Sequence, residues 1–326
     1  MQIARVDDVD RREFIKSATA LASLAGAPAL WAEHAQPEIA FTFDDPRTDG
    51  GAGLSWQEIN QRILDALAKR KIKAVLFVCG KRVDSAEGQS LVAAWDRAGH
   101  DIGNHSYSHL DFNASSDVSS GSAAVTLAEF EADALKNEPL IRSCSHFVRL
   151  FRYPYFKEGD TVEKRDGMRS FLRQHSYRAG RATIDASDWA ISGRLEKREK
   201  ENSQADVTAY RGFFLQHIWE RAQFYDSLAR RVLNHPVRHT VLLHHNALNA
   251  LFLDPLIAMF VANGWKPVDG QWAYSDPVYD LEPHILPAGE SLVWALAKQT
   301  GKFEKELRYP GEDDVYENPK MDALKL

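Results

Sequence analysis

Most of the short apolar runs in this sequence end in residues that can do chemistry. The first run, Ala40–Phe43, leads directly into the carboxylates Asp44 and Asp45. Later runs end in four further sets: His105-Ser-Tyr-Ser-His109, Arg152-Tyr-Pro-Tyr155, Asp185-Ala-Ser-Asp188-Trp189 and His244-His245. Imidazoles and carboxylates hold divalent metals and move protons in hydrolytic reactions. The sequence therefore predicts a hydrolase site, provided that the fold brings these sets together.

The first two sets together have the composition of a catalytic metal site. Two neutral imidazoles, His105 and His109, and one carboxylate would supply three ligands and leave a position open for water. Successive residues near a strand end point in different directions, so one of Asp44 and Asp45 can bind a metal while the other accepts a proton. Arg152 is a candidate partner for the free carboxylate, and a histidine after another strand can protonate a leaving group.

Each motif taken alone is weak evidence for such a site. Asp-Asp pairs also occur at Asp7-Asp8 and Asp313-Asp314. A second His-x-x-x-His pair, His235 and His239, encloses a proline and precedes a strand, which is typical of a surface turn. A structural histidine or a solvated carboxylate is therefore the alternative for each motif, and the ordered combination is what favours catalysis.

The elements that must position these sets alternate between strand and helix. The predicted strands are Glu38–Phe43, Ile72–Val78, Asp101–Asn104, Phe147–Phe151, Tyr177–Ile184 and Thr240–Leu243. The predicted helices are Trp56–Arg70, Gly88–Ala98, Leu127–Arg142, Val162–His175, Val207–Leu233 and Asn249–Asn263. This alternation is typical of an α/β fold with a mostly parallel sheet, in which the carboxyl ends of the strands meet on one face.

The segments outside this alternation are predicted to lie at the surface. The serine-rich stretch Ser115–Ser122 and the charged stretch Gly193–Ala205 are interpreted as solvated loops. The tail, residues 266–326, is rich in proline and aromatic residues and is predicted to wrap around the preceding domain.

Composition excludes several classes of protein. The chain has 326 residues, of which 44% are hydrophobic and 26% charged, as in an ordinary soluble globular protein. Its net charge of -6 and the lack of a basic stripe argue against a nucleic-acid partner. Cys79 and Cys144 have no C-x-x-C spacing, so they form either one disulfide or two free thiols, and buried free thiols are favoured.

The N-terminal 35 residues resemble an export signal. Asp10-Arg11-Arg12-Glu13-Phe14-Ile15-Lys16 precedes an alanine- and leucine-rich run, Ser17–Trp31, that is too short to span a bilayer comfortably. The paired arginines are similar to the twin-arginine signal of bacteria, which directs folded proteins out of the cytoplasm. A first structural helix is the alternative. We expect a mature protein without a membrane span in the periplasm or cell envelope.

In order and spacing, the five chemical sets resemble the motifs of the polysaccharide deacetylases. This group is carbohydrate esterase family 4, with the NodB-homology domain. The resemblance implies an irregular (β/α) barrel, usually seven-stranded, over residues 36–265, after the export signal at 1–35 and before an extension at 266–326 that packs on the barrel. Five ordered motifs are far more specific than any one of them.

The resemblance also assigns roles at the metal. It implies that Asp45, His105 and His109 hold one divalent ion, usually zinc, with cobalt, nickel or manganese in some members. Asp44 would be the general base, and Arg152 would orient it.

A second group of residues would bind the substrate and protonate the leaving group. By the same resemblance, His244 is the general acid, Asp188 holds and tunes it, the backbone N–H of Tyr155 helps to stabilise the oxyanion, and Trp189 lines the pocket. Here His245 follows the histidine where an aspartate or another polar residue is common in the family. Alternation along a strand lets only one of these histidines face the pocket, and the motif alignment favours His244.

The expected reaction removes N-acetyl groups from a glycan such as peptidoglycan, a chitin oligosaccharide or another envelope polysaccharide, and releases acetate. The alternatives are an O-acetyl esterase acting on a polysaccharide and a catalytically silent glycan-binding protein. Trp272, Tyr274 and Trp294 are either a sugar-stacking platform or buried support for the barrel, and support is favoured. Asp185 either stabilises a turn or touches the site.

Overall fold

The computed structural model describes residues 36–113, 124–202 and 206–326. Residues 36–326 belong to one compact unit. The export signal predicted at 1–35 and the serine-rich loop at 115–122 lie outside the described residues.

Seven parallel strands form the central sheet, and two further strands form a small antiparallel pair. In chain order the nine strands are β1 (Glu38–Asp44), β2 (Val75–Val78), β3 (Asp101–Asn104), β4 (Phe147–Phe151), β5 (Lys157–Gly159), β6 (Arg178–Ala179), β7 (Arg238–His244), β8 (Lys266–Pro267) and β9 (Ala288–Gly289). The order in the sheet is β6-β4-β3-β2-β1-β7, with β8 also paired with β1, while β5 pairs with β9. The α/β barrel predicted from the sequence is confirmed, in an irregular, curled form.

The curl brings the two edges of the sheet to a single segment of chain. Gly180 N–H donates to the carbonyl of Phe151 in β4, at 2.7 Å. A few residues later, Ile184 N–H donates to the carbonyl of Thr240 in β7, at 3.0 Å. Because this segment crosses from one edge to the other, it cannot pair continuously with either. The prediction of one strand over Tyr177–Ile184 is therefore wrong, and only Arg178–Ala179 and a single bridge at Ile184 remain.

Eleven helices are found in the described part of the chain. They are α1 (Trp56–Arg70), α2 (Gly80–Val83), α3 (Ala86–Arg97), α4 (Leu127–Ile141), α5 (Val162–Gln174), α6 (Asp188–Glu201), α7 (Thr208–Leu233), α8 (Ala247–Ala262), α9 (Gly270–Tyr274), α10 (Leu292–Thr300) and α11 (Asp314–Ala323). All six predicted helices are present within two residues at each end. Ser55 begins α1 with a capping box that Glu58 completes, which explains why that start is readable from sequence.

Helix α6 corrects the prediction of a charged loop at Gly193–Ala205. Ile191 and Leu195 are four residues apart and both fully buried, so one narrow face of the helix packs in the core. Lys197 and Glu201 lie on the solvent side, 4.0 Å apart. The sequence evidence for this helix is weak, because its buried face shows only these two large apolar residues in a mostly charged segment.

The core lies on both faces of the sheet. β1 and β2 are buried on both sides, including Phe41, Phe43, Val75 and Leu76. This is expected when helices cover the outside of a parallel sheet and side chains fill its curled interior. The strands are therefore rigid supports for the residues that follow them.

The C-terminal segment is tied to the barrel at several points. Strand β8 pairs with the start of β1, and β9 pairs with β5. Further along, Glu317 in α11 is fully buried and lies 3.2 Å from the ring of His217 in α7.

Both cysteines are free thiols, Cys79 buried and Cys144 partly exposed, as the sequence favoured. None of the helices in the described ranges is long and apolar enough to cross a membrane.

Candidate metal and catalytic site

The chemical sets come together at the carboxyl ends of the parallel strands. Asp44 ends β1 and lies in register with His244, which ends the neighbouring strand β7. On its other side Asp44 is in register with Phe77 of β2. His105 directly follows β3, and Arg152 directly follows β4. Parallel pairing thus brings residues that are 200 positions apart in sequence to one face.

Asp45, His105 and His109 form a compact set of possible metal ligands. One ligand atom from each lies within 4.8 Å of the other two. His109 Nε2 is 3.3 Å from Asp45 Oδ2, and His105 Nε2 is 4.0 Å from Asp45 Oδ1. All three side chains are buried or nearly so, and their atoms face a common point.

The protonation states of the two histidines suit metal binding. His105 Nδ1 lies 2.8 Å from the carbonyl oxygen of Arg152, which can only accept, so Nδ1 carries the proton and Nε2 is free. Burial lowers the pKa of His105 to about 3 and also lowers the pKa of His109, although the Asp45 charge opposes both shifts. Both rings are therefore neutral at physiological pH, which is the form that binds metals.

One buried carboxylate oxygen of the set has an ion-pair partner but accepts no hydrogen bond in the described part of the chain. Asp45 Oδ1 is buried and has no hydrogen-bond partner in the described ranges, although Arg82 Nε lies 3.0 Å away. A bound cation would give this oxygen a direct contact in addition to its ion pair with Arg82. Two imidazole nitrogens and one carboxylate match zinc and several other divalent ions, so the residues fit a metal.

Left-handed backbone is concentrated around this set. Asp45, Ser106, His109 and Tyr155 have φ of 56°, 60°, 58° and 55°. Residues other than glycine adopt this region at a cost, and such strain clusters at functional sites. The backbone thus turns sharply after the strands, and this turn sets the direction of these side chains.

Asp44 is bound by Arg152 and lies beside the ligand set, with its Oδ2 3.6 Å from His105 Nε2. Arg152 Nη1 donates to Asp44 at 3.2 Å from both carboxylate oxygens, and both residues are buried. The same guanidinium donates to Thr42 Oγ1 and the hydroxyl of Tyr274, each at 3.1 Å, and through Nε to the carbonyl of Gly180. Burial raises the pKa of Asp44 to about 6, in spite of the opposing charge of Arg152.

His244 is paired with Asp188, the first residue of α6. His244 Nδ1 donates to Asp188 Oδ1 at 2.7 Å, and its backbone N–H donates to Asp188 Oδ2 at 2.9 Å. Burial would lower the pKa of His244, but the charge and hydrogen bond of Asp188 raise it to about 9. Because Nδ1 is occupied, Nε2 is the ring nitrogen left to act in the cleft.

The neighbouring His245 points elsewhere. Its Nε2 lies 3.2 Å from Asn60 Oδ1, and its ring lies beside Trp95 with centroids 6.4 Å apart. Burial lowers the pKa of His245 to about 4. Of the two histidines, His244 is the one placed with Asp188, which is the arrangement that the motif alignment favoured.

A cleft of about 530 Å³ opens over these residues. Tyr155 and Trp189 line it and are 61% and 45% exposed, and the ring of Tyr155 packs edge-on against His109 at 4.5 Å. Asp185 also lines the cleft, where burial raises the pKa of its carboxyl well above the usual range. The geometry thus places Asp185 at the site.

Sequence reasoning missed part of the cleft wall. Four residues of the C-terminal segment line it: Glu290, Pro310, Glu312 and Asp313. Asp313 belongs to one of the Asp-Asp pairs that recur in the chain, and no spacing pattern distinguishes any of the four. Trp272, Tyr274 and Trp294 are absent from the lining, so the stacking-platform alternative is wrong. Tyr274 and Trp294 are buried, and Trp272 donates to Glu38 at the start of β1, the opposite end of that strand.

Residues 32–178 match the family model for polysaccharide deacetylase, a range that includes the ligand set, Asp44 and Arg152. The matched residues make up slightly less than half of the chain. The matched range of the polysaccharide deacetylase model ends before Asp188 and His244, so the placement of those two residues comes from the geometry.

One curated relative is a distant match. The peptidoglycan-N-acetylglucosamine deacetylase of Bacillus cereus is 27% identical over 153 residues, which are 47% of this chain and 46% of that protein. The chain therefore matches slightly less than half the length of this curated relative.

Solved structures share the fold. A carbohydrate esterase family 4 pseudoenzyme from Bacillus anthracis covers 73% of this chain and 65% of its own, at 20% identity and a TM-score of 0.50. A mutant of that pseudoenzyme with restored enzymatic activity covers 73% and 67%, at 21% identity and a TM-score of 0.50.

Proposed function

We propose that this protein is a metal-dependent hydrolase that removes N-acetyl groups from a glycan and releases acetate. The observation that carries the proposal is the pairing of Asp44 with Arg152 and of His244 with Asp188, on neighbouring strands beside the three-ligand set. The match of residues 32–178 to the polysaccharide deacetylase family model supports the reaction class.

The ligand set would hold one divalent metal, for which zinc is our first candidate and cobalt, nickel and manganese are the others. When bound by Asp45, His105 and His109, such an ion supplies Lewis acidity toward the amide carbonyl and toward water. The rest of the chemistry belongs to the side chains around it.

Asp44 and His244 divide the acid and base roles. With a pKa of about 6, Asp44 is ionised at neutral pH and can accept the proton of the attacking water. With a pKa of about 9, His244 is protonated and can deliver a proton from Nε2 to the departing amine. Environments that separate the pKa values of two groups in one site are typical of an acid and base pair.

Other residues orient the substrate. We assign the backbone N–H of Tyr155 as the donor to the developing oxyanion, because Tyr155 lines the cleft next to His109. The exposed rings of Tyr155 and Trp189 suit packing against pyranose rings. These features, with the name of the Bacillus cereus relative, support peptidoglycan or a chitin-like oligosaccharide as the substrate class.

An acetate-release assay tests the proposed reaction. Chitooligosaccharides, peptidoglycan fragments and acetylated xylan are offered to the chelated protein and to protein supplied with zinc, cobalt, nickel or manganese. We expect acetate from the N-acetylated substrates only after a metal is added, and none from Asp44→Asn. Asp65→Asn, an exposed change on α1, is the control and retains the parent rate.

Two other results of this assay would replace the proposal with a named alternative. Acetate from acetylated xylan alone would assign an O-acetyl esterase. Tight glycan binding by both the parent and Asp44→Asn, with no acetate from either, would assign a silent glycan-binding protein.

We also propose that the protein works outside the cytoplasm. The paired arginines at 11 and 12 and the apolar run after them support this location. Replacing both arginines by lysine should leave the precursor in the cytoplasm on cell fractionation, whereas Arg5→Lys should not. Equal recovery of both variants in the cell envelope would contradict twin-arginine export.

A further inference from the structure

Asp188 is the most completely hydrogen-bonded carboxylate of the candidate site. It is fully buried, and its Oδ1 accepts from His244 Nδ1. Its Oδ2 accepts from the backbone N–H of His244 at 2.9 Å, from Asn246 Nδ2 at 3.2 Å and from Asn249 Nδ2 at 2.7 Å. Asn246 and Asn249 belong to none of the sequence motifs. They bind Asp188, which in turn binds the candidate general acid His244.

The start of helix α8 explains how these asparagines reach Asp188. Asn246 is the N-cap of α8, and its Oδ1 accepts from the backbone N–H of Asn249 at 2.9 Å. A glutamate or glutamine at the position of Asn249 would reach back to the cap backbone and complete a capping box. The shorter side chain of Asn249 is fully buried and turns inward instead.

Asn249 joins two elements that the sequence does not connect. Its Nδ2 contacts Asp188, the first residue of α6, and also the carbonyl of His244 at the end of β7, at 2.9 Å. A third acceptor, Asn246 Oδ1, is farther away at 3.2 Å. An amide nitrogen carries two hydrogens, so the two shorter bonds can form at once. These two hydrogen bonds from Asn249 fix the distance between α6 and β7 at the point where the Asp188–His244 hydrogen bond forms.

We propose that Asn249 is a positioning residue for His244, acting through Asp188 and assisted by Asn246. This inference rests on the proposed function, in which His244 protonates the leaving amine. A carboxylate held only by His244 could rotate, and the imidazole would then lose the bond that keeps its Nδ1 proton in place. With Asn249 present, Nδ1 stays bound to Asp188, and Nε2 stays directed at the cleft.

Two variants of Asn249 remove its donors in different ways. Asn249→Asp has nearly the same shape but offers acceptors to Asp188 and to the His244 carbonyl. Asn249→Ala removes the group altogether. Asn60→Ala is the matched control, because Asn60 is also buried and its Oδ1 accepts from Trp95 Nε1 at 2.7 Å and lies 3.2 Å from His245 Nε2. Among the described residues, Asn60 forms no hydrogen bond to Asp188.

The rate measurement separates positioning from general support. In the acetate-release assay we expect kcat to fall about 10- to 100-fold in both Asn249 variants with KM within about twofold of the parent, as for other residues that orient a functional histidine. Asn60→Ala should lower the melting temperature and leave kcat within about threefold. An unchanged kcat in both Asn249 variants overturns the proposal.

A second measurement does not depend on activity. In the metal-free protein with ¹⁵N-labelled histidine, the Nδ1 proton of His244, assigned by its loss in His244→Gln, should give a resolved downfield resonance at pH 7. We expect Asn249→Ala and Asn249→Asp to lose or broaden this resonance and Asn60→Ala to keep it. If it survives in both Asn249 variants, the proposal is overturned, whatever their rates.

The two measurements also separate this inference from the proposed function. A parent that releases no acetate removes the proposed function, while the ¹⁵N spectrum still tests whether Asn249 holds the Asp188–His244 pair. If one Asn249 variant fails to fold, as judged by circular dichroism, the other carries both tests.

Discussion

At the scale of single residues, this site gives different pKa values to two ionisable groups that lie on neighbouring strands. Asp44 and His244 lie in register on β1 and β7 and are both buried. Burial alone would neutralise both. Arg152 limits that effect at Asp44, whereas Asp188 reverses it at His244, so the two groups are expected to be charged at the same pH.

The first prediction is a bell-shaped dependence of kcat/KM on pH. Activity should rise as pH increases through about 6, where Asp44 loses its proton and becomes a base. It should fall as pH increases through about 9, where His244 loses the proton that the leaving group needs. Initial rates of acetate release from pH 4.5 to 10.5 would measure both limbs, and a rate that keeps rising above pH 10 would contradict the role of His244.

The second prediction concerns the alkaline limb. Asp188 raises the pKa of His244, while burial lowers it. In Asp188→Asn the raising effect is lost, so the alkaline limb should move to lower pH and kcat at neutral pH should fall by at least about tenfold. The pH profile of Asp166→Asn, an exposed change on α5, should match the parent. An alkaline limb that stays near pH 9 in Asp188→Asn would show that another group controls it.

At the scale of elements, the barrel carries the reactive groups on strand ends and supports them from behind. Arg152 follows β4 and is 1% exposed, with its guanidinium packed 4.2 Å from the ring centre of Phe77. Behind it lies Tyr274 at the end of α9, whose hydroxyl accepts from Arg152 and donates to the carbonyl of Arg181 at 3.1 Å. A helix of the C-terminal segment thus completes the support of Asp44.

The third prediction compares two neighbouring tyrosines. Tyr274→Phe removes an acceptor from Arg152, and kcat should fall roughly tenfold because the guanidinium is less firmly oriented, a change of about 1.4 kcal/mol in the barrier. Tyr279→Phe is the control, since its ring lies 4.7 Å from that of Tyr274 and its hydroxyl donates to the carbonyl of Arg238 instead. Both variants should lose similar stability in urea unfolding. Equal losses of kcat would mean that packing alone explains the effect.

At the scale of the whole molecule, ion pairs of a buried glutamate side chain anchor the C-terminal segment. Glu317 of α11 is fully buried between His217 of α7, Arg308 at 3.2 Å and Lys320 at 3.0 Å. Glu312, nearby in sequence, lies 2.5 Å from Arg221 and also lines the cleft. Glu312 of the cleft wall and Glu317 of α11 both pair with Arg308, so they belong to one cluster of charged side chains.

The fourth prediction is a loss of stability without a direct change in chemistry. Glu317→Gln removes the buried charge that faces His217, Arg308 and Lys320, and within the described residues only Arg308 keeps a second carboxylate, Glu312, at 3.4 Å. Breaking a buried ion pair in this way costs roughly 3 kcal/mol. Urea unfolding should show this decrease, whereas Glu304→Gln, which removes an exposed pair with Lys298, should change stability by less than about 1 kcal/mol. Equal midpoints for the two variants would show that the cluster does not anchor α11.

Local sequence patterns account for much of this architecture. Apolar runs, caps and amphipathic spacing predict six of the helices, and the order of the motifs predicts which strands end at the site. These features are legible because they depend on neighbours in the chain, such as Ser55 and Glu58 in one capping box.

The supports of the site depend on neighbours in space instead. Tyr274 lies 122 residues from Arg152, and Asn249 lies 61 residues from Asp188, and neither carries a motif. The same holds for the cleft wall formed by Glu290 and Glu312. Short patterns in the chain identify the candidate catalytic groups, whereas the packing of distant elements decides which groups hold them in place. The reason is that a hydrogen bond requires proximity and direction that no local spacing records.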